Sequence, residues 1–221
     1  SNFSADNPSS LVVLDRTRST EVSPPDCTLE SDSTIQAACT TTVTEDRDIG
    51  HITAAPVTNS TSLLHASQIT MLNNNRWAVV LGNGYNSANQ RPVLLVQYLD
   101  GNKELLTIPT TVDVPGTGKA NDNGLSAPRL VDLNGDERPD IAYAGDNQGN
   151  LWKFDLLSTD DANWGVAFSG SPLFTAKGGT QGSPDSRTPA QPITIAPTVR
   201  ANDRYATVGT GNDAVTMRVG G

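Results

Sequence analysis

The sequence predicts an all-β fold built from short antiparallel strands. Short apolar runs alternate with clusters of turn residues along most of the chain. The 221 residues include 19 Gly and 14 Pro, which interrupt helices and supply tight turns. No helical stripe longer than about two turns is evident.

Residues 1–10 read as a loose lead-in, followed by a short strand at 11–14. The stretch 17–47 is poor in large apolar residues and rich in Thr, Ser and Asp, so it is expected to be a loop or insertion. It holds Cys27 and Cys39, the two cysteines of the chain. Metal sites favour closer cysteine pairs with histidines nearby, whereas His51 and His65 lie well outside the stretch. A disulfide pinning a surface loop is therefore expected, which implies an oxidising compartment. Two reduced thiols are the alternative.

Regular strands follow. Residues 69–72 and 76–81 flank Asn73-Asn74-Asn75, a hairpin turn, because Asn tolerates left-handed φ. Residues 93–99 and 104–108 flank Asp100-Gly101-Asn102, a second hairpin. Residues 130–131 and 141–144 bracket an acidic loop, and 151–156 follow the turn at 146–150. Residues 166–168 and 173–174 form a weaker pair. Runs at 193–195 and 205–208 end the series. The segment Arg76-Trp-Ala-Val-Val-Leu-Gly-Asn-Gly84 is echoed by Arg204-Tyr-Ala-Thr-Val-Gly-Thr-Gly211. Strand units recurring every 40 to 50 residues or so suggest propeller blades. The expectation is one modified β-propeller over 1–221, complete or part of a larger one.

The formal net charge is −9 and the pI about 4.5. That field repels phosphate backbones and anionic lipid, so nucleic acid and direct membrane insertion are not expected. No apolar run approaches the ~18 residues of a membrane span. No signal segment opens the chain at Ser1, so a mature, processed or excised segment is expected.

The acidic loop, Asp132-Leu-Asn-Gly-Asp-Glu-Arg-Pro-Asp140, carries the chemistry. Calcium takes six to eight oxygen ligands, several of them anionic. Side-chain oxygens stand at alternate positions, Asp132, Asn134, Asp136 and Asp140, with the Arg138 carbonyl between the last two. Pro139 biases Arg138 towards extended backbone, and Gly135 allows a tight bend. Three carboxylates against a divalent ion leave a charge of −1. The loop departs from an EF-hand. Position six is Glu137 instead of Gly, position twelve is Tyr143 instead of Glu, and the flanks are strands. Glu137 would adopt a left-handed conformation at about 1 kcal/mol. The competing reading is an Asx-rich turn with solvated carboxylates.

Other features point to structural roles. Gly82-Asn-Gly-Tyr-Asn-Ser87 lacks the last glycine and following helix of a phosphate loop. The 146–150 cluster suits a hairpin turn better than a metal site. His51 and His65 lie in no catalytic motif. Trp77, Trp152 and Trp164 are expected to pack between blades. Asn59-Ser-Thr61 is a glycosylation sequon, meaningful in a eukaryotic source.

The run from Leu125 through Asp132-Leu-Asn-Gly-Asp-Glu-Arg-Pro-Asp140 to Gly149-Asn-Leu-Trp-Lys-Phe-Asp155 closely resembles the C-terminal domain of the PilC/PilY family of type IV pilus tip-associated adhesins. Arg76-Trp-Ala-Val-Val-Leu-Gly-Asn-Gly-Tyr-Asn-Ser87 is similar to a second signature of that family. Pro172-Leu-Phe-Thr-Ala176, Gln191-Pro-Ile-Thr-Ile-Ala-Pro197 and Gly209-Thr-Gly211 follow in the family's order. The resemblance spans about 48–211. It implies a modified β-propeller with one calcium ion held by Asp132, Asn134, Asp136, the Arg138 carbonyl and Asp140. It also implies an extracellular, non-enzymatic protein at a bacterial pilus tip, or associated with the outer membrane. Such a protein supports pilus extension and retraction, twitching motility and surface attachment. Minor pilins and a host or abiotic surface are the implied partners. The insertion at 17–47 has no counterpart in the family, and Glu137 stands where Gly is frequent. Two alternatives are a quinone-dependent dehydrogenase on a similar propeller and an integrin-type calcium-stabilised adhesion propeller.

Overall fold

The computed structural model describes residues 26–53, 65–110, 123–176, 191–201 and 215–218. The expected strands at 11–14 and 205–208, the second copy of the internal echo and the sequon lie outside these residues.

After β1 (His65–Ala66), four strands run as an antiparallel meander: β2 (Ile69–Met71), β3 (Trp77–Gly82), β4 (Val93–Tyr98) and β5 (Leu105–Pro109). The Asn73–75 turn joins β2 to β3. Asn75 N–H donates to the Leu72 carbonyl at 2.9 Å, and Asn75 takes φ 62°. The Asp100–Asn102 turn joins β4 to β5, with Gly101 at φ 57°. Strand β4 is Val-Leu-Leu-Val-Gln-Tyr and is buried along both faces. Leu94, Val96 and Tyr98 face the main core, while Val93 and Leu95 pack with Ile49 and Leu105 on the other side.

The second sheet has six strands. It repeats the meander as β6 (Arg129–Val131), β7 (Ile141–Gly145) and β8 (Asn150–Asp155), flanked by β1 on β6. The expected pair at 166–168 and 173–174 is not a pair. Both β9 (Gly165–Val166) and β10 (Phe174–Thr175) hydrogen-bond to β8. The cause lies between them, where Phe168, Ser169 and Gly170 take φ of 55°, 54° and 80° and turn the chain away. Residues 193–195 form no strand. Ile193 is buried, its N–H donating to the Asp146 carbonyl at 2.9 Å, and the strand comes later as β11 (Thr198–Ala201), paired with β12 (Val215–Arg218).

One core joins the two main sheets. Leu72, Ala78, Val80, Leu94, Val96 and Ile108 of the first meet Leu130, Ala142, Ala144, Trp152 and Phe154 of the second. Trp152 and Trp164 lie in this core, as expected, but Trp77 is 48% exposed. The alternation of β3 turns Ala78 and Val80 inward and so sends Trp77 outward.

The expected loop at 17–47 holds helical structure instead. A single 3₁₀ turn (Cys27–Leu29) precedes α1 (Ser33–Asp46), an α-helix of 14 residues. Asp32 caps it, its Oδ1 accepting from the N–H groups of Thr34 (2.8 Å) and Ile35 (3.3 Å). Cys27 and Cys39 are disulfide-bonded, with Cα atoms 5.8 Å apart, which ties the helix to the turn before it. No helix among the described residues is long and apolar enough to cross a membrane.

Candidate metal centre

The 132–140 loop leaves β6 and returns as β7, at the same corner of its meander that Asn73–75 occupies in the first. Its ends are buried, with Asp132 4% and Asp140 1% exposed, while Asn134 and Asp136 face solvent. Asp132 shapes the loop. Its Oδ1 accepts from the N–H groups of Asn134 (3.1 Å) and Gly135 (2.7 Å), and Oδ2 from that of Glu137 (2.8 Å). Asn134 Oδ1 accepts from Asp136 N–H at 2.9 Å, and Asp136 Oδ1 from Arg138 N–H at 3.0 Å. Asp140 Oδ2 closes the ring by accepting from Leu133 N–H at 2.9 Å. Gly135 and Glu137 take φ of 81° and 68°, so Glu137 has the left-handed backbone that its position requires.

The donor set is all oxygen, which suits a hard cation. Among the described residues, however, no three His, Cys, Asp or Glu side chains are gathered as a metal cluster. The carboxylates are spread because backbone N–H groups hold them. A carboxylate offers about four lone-pair sites. Asp132 uses three, Asp140 two and Asp136 one, so each retains acceptor capacity. The residues fit calcium in chemistry, and binding it requires their side chains to draw inward.

The loop is laced to the first sheet by the Asn turn. Asn73 Nδ2 lies within donating distance of Asp140 Oδ1 (3.2 Å), the Pro139 carbonyl (3.2 Å) and the Leu156 carbonyl (3.0 Å). Asn75 Oδ1 accepts from Arg138 Nη1 at 2.7 Å. Asn74 Nδ2 reaches Tyr98 Oη (2.7 Å) and Asp161 Oδ2 (3.0 Å), and Tyr98 itself donates to Asp161. Burial, and then the bond to Asp161, pushes the Tyr98 phenol well above its usual range. The Arg76 guanidinium lies 3.7 Å from the Tyr98 ring centre and pairs with Asp100 and Glu104. Arg76 holds the Glu104 carboxyl below its usual range. Trp77 N–H and then Arg76 do the same for Asp100.

The Gly-Asn-Gly segment serves packing. Asn83 is fully buried and uses both ends of its amide: Nδ2 donates to the carbonyls of Asp48 and Arg91 (both 2.8 Å), and Oδ1 accepts from the N–H groups of Val93 (3.1 Å) and Leu125 (2.9 Å). A Cβ on Gly82 would lie 1.9 Å from the Ser126 carbonyl oxygen, so only glycine fits that crossing. Beside it is a cavity of about 150 Å³ lined by His51, Tyr85, Leu125, Ser126, Asn147 and Thr194 among others. The His51 and Tyr85 rings are 5.3 Å apart, with their backbones bridged.

Two further carboxylates, Asp48 and Asp146, are buried outside the loop. Asp48 is gripped by Arg91 and by Asn89 Nδ2 (2.8 Å). Asp146 opens the 146–150 turn, which is the hairpin expected. It accepts from the N–H groups of Gln148 and Asn150 and from the side chains of Asn123, Asn150 and Trp152. The partners of Asp48 stand 41 and 43 positions away, whereas those of Asp146 are local apart from Asn123, 23 positions before it.

A family model described as the PilY1 β-propeller domain matches residues 55–217. The chain is 43% identical over 148 residues to a type IV pilus biogenesis factor PilY1 of Pseudomonas aeruginosa, covering 59% of this chain and 12% of that protein. A PilY1 from another strain of that species is 37% identical over 190 residues, 75% of this chain and 14% of the relative. A PilY1 homolog of Xylella fastidiosa is 38% identical over 118 residues, 49% of this chain and 8% of the relative. The crystal structure of the P. aeruginosa PilY1 C-terminal domain superposes with a TM-score of 0.55 at 34% identity, covering 73% of this chain and 32% of that one. The chain thus spans about an eighth of the length of the first of these relatives.

Proposed function

The chain belongs to the PilY1 β-propeller domain family, and from that premise we propose that it is a calcium-binding module of a type IV pilus tip-associated protein. The whole protein supports pilus extension and retraction, twitching motility and surface attachment. It works outside the cell, with minor pilins and a host or abiotic surface as partners. The names of the relatives, pilus biogenesis factors, favour this reading over a quinone-dependent dehydrogenase.

The observation that carries the calcium reading is the wrapped loop whose two buried ends are carboxylates, Asp132 and Asp140. Asp132, Asn134, Asp136, the Arg138 carbonyl and Asp140 would hold the ion. Bound calcium supplies positive charge that offsets the repulsion among three carboxylates. Asp132 keeps the loop curled through its three N–H bonds, and Asp140 joins loop end to loop start through Leu133. Together they order the corner of the second sheet, the part of the blade that would meet a partner.

Calorimetric titration of the chain with calcium, beside Asp132→Ala and Asp140→Ala, tests the reading. Saturable uptake by the native chain that both variants lose is expected. No uptake at millimolar calcium would sink the metal site. For the biology, Asp140→Ala in the full-length protein should shrink the twitching zone of the host bacterium. Normal twitching with the ion site abolished would separate calcium from motility.

A further inference from the structure

Asn73 belongs to the first sheet, yet its amide is spent on the second. Its Nδ2 is placed against Asp140 Oδ1, the Pro139 carbonyl and the Leu156 carbonyl, all between 3.0 and 3.2 Å, and the side chain is buried. Nothing in its own hairpin requires this, since the turn is closed by the Asn75 N–H bond to Leu72. Asn75 reaches the same loop from the other side through Arg138 Nη1, and Thr70 Oγ1 lies 3.5 Å from the Glu137 carbonyl. The last three loop positions, Arg138, Pro139 and Asp140, are thus held from the neighbouring sheet, whereas Asp132, Asn134 and Asp136 are held within the loop.

We propose that Asn73 is a positioning residue for the calcium site, with Asn75 as its auxiliary, so that the site is completed across two sheets. The inference rests on the calcium reading above. Asn73 fixes one carboxylate oxygen of Asp140 by donating to it and anchors the Pro139 carbonyl beside it. With one oxygen taken by Asn73 and the other by Leu133 N–H, Asp140 still has acceptor capacity for an ion. Asn75 holds the Arg138 side chain, and so limits the rotation of the peptide whose carbonyl completes the ligand set. Drawing the carboxylates inward on an ion must then pull on the β2–β3 turn, and through Asn74 on Tyr98 and Asp161. Calcium occupancy is thereby transmitted as stiffness between sheets.

The test is calcium affinity by calorimetry, with the calcium-induced rise in Tm measured alongside, for the native chain, Asn73→Ala, Asn75→Gly and Asn74→Ala. Asn75→Gly keeps the left-handed backbone while deleting the amide, so it should fold even if Asn73→Ala does not. Outer-shell partners of metal ligands are typically worth about 10- to 100-fold in affinity, so Asn73→Ala should weaken binding about tenfold or more. Asn75→Gly should weaken it severalfold. Asn74→Ala, which touches Tyr98 and Asp161 but not the loop, should stay within about twofold. The calcium-induced rise in Tm should shrink with the affinity; a purely structural Asn73 would lower Tm equally with and without the ion. Unchanged affinity in Asn73→Ala and Asn75→Gly would overturn the inference and leave the calcium reading standing. So would an equal loss in Asn74→Ala. A native chain that takes up no calcium would overturn both.

Discussion

Arg91 and Asp48, 43 positions apart, are joined by two parallel charge-assisted hydrogen bonds, Nε to Oδ1 at 2.8 Å and Nη2 to Oδ2 at 2.7 Å. The pairing raises the Arg91 guanidinium further above its usual range, and it satisfies a carboxylate that is almost wholly buried. Removing one partner of such a pair is costly because the other charge stays behind. Among the described residues, Asp48 would retain the Asn89 amide as its side-chain partner. Since the Arg91 side chain is 26% exposed, Arg91→Ala should cost about 2–3 kcal/mol, less than the ~3–5 of a fully buried pair. Urea unfolding measures it, and a loss below about 0.5 kcal/mol would contradict the role.

Tyr98 predicts an alkaline limit to stability. Its phenol is held above the usual range in the fold, so the native state binds that proton more tightly than the unfolded chain. The resulting stability is complete below about pH 10 and is lost as pH rises through the raised folded value. Tyr143, shifted upward by burial, acts with the same sign. Tyr98→Phe should lose about 1–2 kcal/mol of unfolding free energy at neutral pH, for the lost bonds to Asn74 and Asp161. Its decline above pH 10 should be shallower. Parallel alkaline curves for the two proteins would refute the assignment.

Two glycines should differ sharply in their response to the same change. An added methyl at Gly82 meets backbone oxygen at 1.9 Å, whereas one at Gly165 meets nothing within 4 Å. Gly82→Ala should lose about 3 kcal/mol or fail to fold, and Gly165→Ala should stay within about 0.5 kcal/mol of the native chain. Thermal melts of both decide, and a well-folded Gly82→Ala would mean that the two segments are not in contact there.

Glu137→Gly should stabilise. A left-handed L-residue costs about 1–2 kcal/mol, and glycine returns about 0.5–1 of that in unfolded-state entropy. The net gain is about 0.5–1 kcal/mol, visible as a raised Tm in calcium-free buffer. The Asp132 bond is to the backbone N–H of residue 137 and survives the change. A lowered Tm would show that the Glu137 side chain contributes what the geometry does not.

The hairpins were legible because their rules are local. Asn75 and Gly101 take the left-handed φ that their residue types suggest, and the strands on either side follow within a residue or two. The alternating oxygens of the 132–140 loop likewise announced its curl. Helix α1 was hidden because its signals are capping and a cross-link: Asp32 caps it and Cys39 ties it back, yet its Thr-rich sequence has no apolar stripe to bury. Asn73 was read as a turn residue, which it is. Its second role depends on partners 66, 67 and 83 positions away, beyond any window of local pattern.

The core shared by both sheets has a mechanical consequence. Leu72, Leu94 and Val96 share one packed interior with Leu130, Trp152 and Phe154, so neither meander can be peeled away without exposing the other. A tensile load entering through one sheet and leaving through the other would therefore meet a single rupture event. A pulled molecule should extend in one step across this region, not in two.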